Sequence, residues 1–153
     1  MIEIYKILGW LQPTELHVAL PMHAGWIYRL ACTRRDNDTL VAIAHTNWGS
    51  LQRLVTGPLR LEHIATSLDI RAHWLDKNHG VRLPMLFRGE LLVVADYEGR
   101  AIVSFRATNN ALTERQVLFN HSSVVRDLTL AGDRLVLADT DSNLHVYDQS
   151  KAN

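Results

Sequence analysis

Three histidines stand at one phase of a repeating pattern. His23, His63 and His121 each precede an apolar residue by seven positions: Leu30, Ile70 and Leu128. Each stretch then leads into an apolar β-type run, a turn and a second β-type run. The first runs are Leu40-Val41-Ala42-Ile43-Ala44, Leu91-Leu92-Val93-Val94-Ala95 and Leu135-Val136-Leu137-Ala138. A unit this short cannot bury its own apolar face, so the units must stack on neighbours. That requirement constrains the fold more tightly than any local signal.

The local signals agree with it. Ile2 and Ile4 alternate with Glu3 and Tyr5 at strand period. Glu15–Leu20 is a second strand closed by Pro21, and Trp26–Cys32 is a third. Asn47-Trp48-Gly49, Gly57-Pro58, Tyr97-Glu98-Gly99, Gly132-Asp133 and Asp141-Ser142-Asn143 are turn signals between short runs. Short strands with turns at such regular spacing predict an all-β chain with no long helix. Leu68, Ile70, Ala72 and Trp74 alternate as a strand would, while Leu68, Ala72 and Leu75 also share a helical stripe with Ser67 as a cap and Gly80 as a stop; the strand is favoured, followed by an insertion containing Asp76–Gly80. The length, 153 residues, has room for about one domain.

The last unit resembles a WD-repeat β-propeller blade. Asn120-His121 stands where that family has a Gly-His pair, Asp141-Ser142 at its tight turn, and Tyr147-Asp148 at its Trp-Asp ending. The second unit keeps His63 and Glu98-Gly99, and the first keeps His23 and Trp48-Gly49. The resemblance is degenerate in residues and covers nearly the whole chain. It implies propeller-like blades of four antiparallel strands in an incomplete ring. The divisions would be a partial blade over 1–20, blades over 21–64 and 65–119, a partial blade over 120–148, and a tail over 149–153. It also implies that the loop histidine ties to the turn acid on one face of the blade. His121 with Asp141 and His63 with Glu98 would form such ties, while His23 has no acid at the matching site. About three blades fall short of the roughly four to eight of closed propellers. The raw ends of the arc would then be covered by another chain, a second copy or a different protein.

Composition removes several function classes. Sixteen basic residues balance sixteen acidic ones, so no nucleic-acid backbone or anionic membrane is an obvious partner. Thirteen of the basic residues are arginine, the cation favoured at protein interfaces. Cys32 is the only cysteine and lies in an apolar run, which predicts a buried, inert thiol and a reducing compartment. No apolar run reaches membrane-spanning length and no secretory signal is visible, so a cytoplasmic location is expected.

The chemistry-bearing residues point mainly to structure. His17, His45 and His145 lie in strands or at their ends, where satisfied or surface positions are the default. His73, Asp76 and His79 form the tightest metal-type spacing, but they offer three ligands without a fourth in reach. The Asp139 and Asp141 pair is read as a hydrogen-bonding turn device. No serine lies in a nucleophile elbow, and the glycines cradle no phosphate. Trp48 and Tyr97, at matching turns of adjacent units, are candidate interface anchors, with Arg34, Arg35 and Arg100 as rim contacts. These features predict a non-enzymatic protein-interaction module with no cofactor. The alternatives are a propeller hydrolase or lyase with a His/Asp site in its funnel, and a small-molecule or glycan sensor using Trp48 and Tyr97.

Overall fold

The structure is a computed structural model, and it describes residues 2–6, 15–20, 27–45, 48–70, 73–76, 80–96 and 98–148. In chain order the strands are β1 (Ile2–Lys6), β2 (Glu15–Leu20), β3 (Arg29–Arg35), β4 (Asp38–Ala44), β5 (Gly49–Thr56), β6 (Leu59–Ser67), β7 (His73–Asp76), β8 (Gly80–Arg82) and β9 (Met85–Arg88). They continue as β10 (Leu91–Ala95), β11 (Ala101–Ala107), β12 (Leu112–Asn120), β13 (Val125–Ala131), β14 (Arg134–Asp139) and β15 (Leu144–Asp148). The only helical element among the described residues is a single 3-10 turn, Leu68–Ile70.

Every pairing is antiparallel. Three up-and-down sheets carry the core: β3-β4-β5-β6, β9-β10-β11-β12 and β13-β14-β15. Two hairpins, β1-β2 and β7-β8, form small sheets of their own. The first turn of each large sheet has the same construction. Two residues join the strands, and the first has a positive φ: Asp36 at 53°, Gly89 at 55° and Gly132 at 60°. Such a turn matches the right-handed twist of its strands, and glycine or aspartate tolerates the left-handed backbone it needs.

The sheets stack through alternating faces. Leu40, Ala42, Ala44 and Leu51 of the first sheet meet Leu92, Val94, Val103 and Phe105 of the second. The opposite face of the second sheet, with Val93, Ala95 and Ile102, meets Leu128, Leu135 and Leu137 of the third. The second sheet is therefore buried on both faces, which explains the uninterrupted apolar run Leu91–Ala95. The first strands approach one another: β3 lies against β9, and β9 against β13. Arg29 on β3 and Asp127 on β13 come within 3.5 Å, although they are 98 positions apart. Arg35 bonds both Glu90 and the Ala107 carbonyl, which links the first sheet to the second.

Three expectations are corrected. Leu68–Ile70 is a 3-10 turn, not part of a strand, and the first strand of the second sheet is β9, beginning at Met85. The inserted residues come before that strand and contain the β7-β8 hairpin. His63 consequently lies within β6 instead of in a loop ahead of a first strand. Gly49 opens β5 directly against the Ile70 carbonyl and side chain, with no room for a Cβ. Finally, Cys32 is exposed: it alternates with Ala31 and Thr33 on the side of β3 away from the second sheet.

Candidate functional site

The densest polar cluster among the described residues forms where the second sheet hands over to the third. β12 ends at Asn120, and His121 begins the loop to β13. That loop is stitched to turns on both sides. The His121 N–H donates to the Arg100 carbonyl at 2.8 Å, the Val125 N–H to the Gly99 carbonyl at 2.7 Å, and the Thr140 N–H to the Val124 carbonyl at 2.9 Å. These bonds fix where the His121 ring can point.

Asp139 ends β14, and its side chain is buried at 2% exposure. Its Oδ1 accepts the backbone N–H of Asp141 at 2.9 Å and of Asn143 at 3.0 Å. Its Oδ2 accepts Nε2 of His121 at 3.0 Å and Nε2 of His145 at 2.8 Å. The other nitrogen of His121, Nδ1, lies 3.1 Å from the Tyr147 hydroxyl. Strand alternation places His145 and Tyr147 on the same side of β15, and Tyr147 stacks on Phe119 of the second sheet at 4.1 Å. The two histidine rings meet edge to face at 4.4 Å. The His121 hydrogen bond, helped by the Asn143 amide and then by His145 and the Asp141 amide, holds the Asp139 carboxyl well below the usual carboxylate range. Desolvation opposes this shift without reversing it. Asp139 also borders an open groove of about 550 Å³, with Arg29, Arg126, Asp127, Asn143 and Leu144 around it.

The tie from His121 to an acid thus exists, but its partner is Asp139 and not Asp141. A residue ending a strand keeps the strand's alternation and turns its side chain inward, whereas Asp141, in the turn itself, points out to bond the Ser123 hydroxyl. His63 does not reach Glu98. It is exposed and bonds Thr66 Oγ1 at 2.8 Å within its own strand, and Glu98 is exposed as well. Trp48 is half-buried and stacks on the buried ring of His45 at 4.2 Å. Arg34 and Arg100 have exposed side chains, while Arg35 is engaged by the second sheet. His23, Tyr97 and His79 lie outside the described residues, as do the side chains of His73 and Asp76. One group of three metal-type donors converges among the described residues: His121, Asp139 and His145. In the sequence His145 reads only as a strand histidine, for which a satisfied or surface position is the default.

No family model matches the chain, and no curated protein matches it. Among solved structures it is similar to the computationally designed Ika4 protein, with 15% identity and a TM-score of 0.45, over 85% of this chain and 95% of that one. It is also similar to the computationally designed Ika8 protein, with 14% identity and a TM-score of 0.47, over 91% of this chain. The chain spans about half the length of Ika8, 51%. At this level neither likeness adds an argument about fold or function.

Proposed function

We propose that the chain is a non-enzymatic protein-interaction module, a partial, WD-like propeller arc that completes its ring with a second copy of itself. One observation carries this reading. In the first and second sheets, the face pointing along the chain toward the next sheet is covered by that sheet. Among the described residues nothing covers the same face of the third sheet: Leu144 is 77% exposed and Val146 60%. Burying a leucine or valine side chain is worth about 1.5–3 kcal/mol each, more than a surface ion pair contributes. Leu30, 43% exposed on the far side of the first sheet, adds apolar surface at the opposite end of the stack.

A second copy is favoured because the stacking rule is directional. Within the chain, the forward face of one sheet packs on the backward face of the next. A copy placed head to tail extends the same series of contacts, and a rotation that returns on itself closes the assembly. The radial arrangement is supported by the up-and-down order of each sheet and by the meeting of first strands β3, β9 and β13. The single cysteine suits a cytoplasmic location, and among the described residues no helix is long and apolar enough to cross a membrane.

Sedimentation equilibrium of gently purified protein tests the reading. The expected mass is twice 17.4 kDa, falling to that of one chain in Leu144→Asp and Val146→Asp. A stable monomer at micromolar concentration defeats the reading. A different protein held in its place defeats the choice of a second copy.

A further inference from the structure

We propose that His121 Nε2, Asp139 Oδ2 and His145 Nε2 form a three-donor site for one divalent transition metal of the zinc class. The three donor atoms lie within 4.8 Å of one another, and the two nitrogen–oxygen separations are 3.0 and 2.8 Å. A tetrahedral site with bonds of about 2.0–2.1 Å has ligand–ligand edges of about 3.3 Å. The oxygen–nitrogen edges need to open by only a few tenths of an ångström. Two imidazoles and one carboxylate, with no thiolate, are a donor set such metals accept.

The other donor atoms of Asp139 and His121 are already occupied in the way a metal site requires. Asp139 Oδ1 is held by the amides of Asp141 and Asn143, which leaves Oδ2 as the convergent atom. His121 Nδ1 is engaged by the Tyr147 hydroxyl, which can donate to that nitrogen or accept from it. Metal at Nε2 leaves the neutral ring's proton on Nδ1, which then donates a hydrogen bond to the Tyr147 hydroxyl oxygen, with no net proton lost. Partners of this kind orient ligating histidines and strengthen their metals.

A purely structural role accounts for part of this cluster and leaves a remainder. His121 with Asp139 ties a loop to a turn. His145 ties nothing new, because the β14-β15 ladder already holds its strand beside Asp139. Asp96, which directly follows β10 much as Asp139 closes β14, offers a comparison with a turn lacking the second imidazole. Its Oδ1 accepts the Ala101 amide at 3.4 Å, and among the described residues no histidine bonds it. The second imidazole on one carboxylate oxygen is thus surplus to the turn. The His145 side chain is 35% exposed, which gives a metal a way in and leaves room for a solvent ligand in the fourth position.

Titration with Co²⁺, followed by its visible absorption and displaced by Zn²⁺, tests the site. The wild-type chain is expected to bind one ion. His145→Ala should weaken binding at least about 100-fold, and Tyr147→Phe about 10-fold, in line with the loss of an outer-shell partner. His73→Ala should leave binding unchanged. His145 is half-exposed, and an unchanged circular dichroism spectrum will confirm that its variant folds. If that variant does not fold, Zn²⁺-induced shifts of the His145 ring resonances in the wild type decide the matter. No bound ion, equal binding by folded His145→Ala, unshifted His145 resonances, or loss of binding in His73→Ala overturns the proposal.

Discussion

The second and third sheets share a plan through their third strands and then part. Both begin with a two-residue turn containing a positive-φ glycine, and both place a buried aspartate at the close of the second strand, Asp96 just after β10 and Asp139 as the last residue of β14. The second sheet goes on to a fourth strand, β12, and has neighbours on both faces. The third has three strands among the described residues and one bare face. Equal local construction has therefore produced unequal burial, and the difference comes from position in the stack. Leu92 and Leu144 make the point: both are strand leucines, one fully buried and the other 77% exposed.

That pair gives the largest test. Leu92→Ala removes packing on both sides of a filled interior and is expected to cost about 2–5 kcal/mol in denaturant unfolding. Leu144→Ala, measured on dilute single chains, should change stability by no more than about 0.5 kcal/mol. Equal losses would mean that the third sheet is covered after all. A loss for Leu144→Ala that grows with protein concentration would place the cover in a second chain.

The two aspartates give the next. Asp139→Ala strands two backbone amides and two imidazoles, whereas Asp96→Ala strands the Ala101 amide. The expected order in thermal unfolding is Asp139→Ala below Asp96→Ala, by roughly 5 °C or more. Matching melting temperatures would make the histidines irrelevant to the fold.

The smallest effect concerns what a fourth strand adds. Glu62 on β6 pairs with Arg53, which lies opposite it on β5, and with Arg60. Arg53 first, then Arg60, lower the Glu62 carboxyl below its ordinary value. A depressed folded value stabilises the protein above the unfolded carboxyl's pKa, about 4.3, and the benefit fades as pH falls through the folded value. Glu62→Gln should therefore lower stability slightly at pH 7 and not at pH 2–3. A pH-independent effect would remove the ion pair from the account.

Much of the fold was legible because strand runs and turn residues are local signals. Leu91–Ala95 and Leu135–Ala138 read as strands from their apolar runs, and Gly132-Asp133 reads as a turn from its residues. What failed depended on distance. His63 shares a sequence phase with His121, but the residues inserted before Met85 moved the next sheet away from it. The positive-φ turns at Asp36, Gly89 and Gly132 mark the repeat better than the histidines do, because that backbone constraint moves with the sheet. On β15 the apolar residues face outward. Leu144 and Val146 look like the inward set, yet His145 and Tyr147 face the second sheet, since the apolar side has no neighbour within the described chain. The acid that meets His121 lies two residues ahead of Asp141, because side-chain direction follows the strand, not proximity in the turn.

Among the described strands, β15 pairs only with β14, so its outer side presents a row of amide donors and carbonyl acceptors. Such a row is a template for any extended segment of suitable length. The short, flat alternation of Leu144 and Val146 beside it adds the grease that fibrils exploit. A chain left with this margin uncovered should therefore be lost to edge-to-edge pairing faster the more of it is made at once.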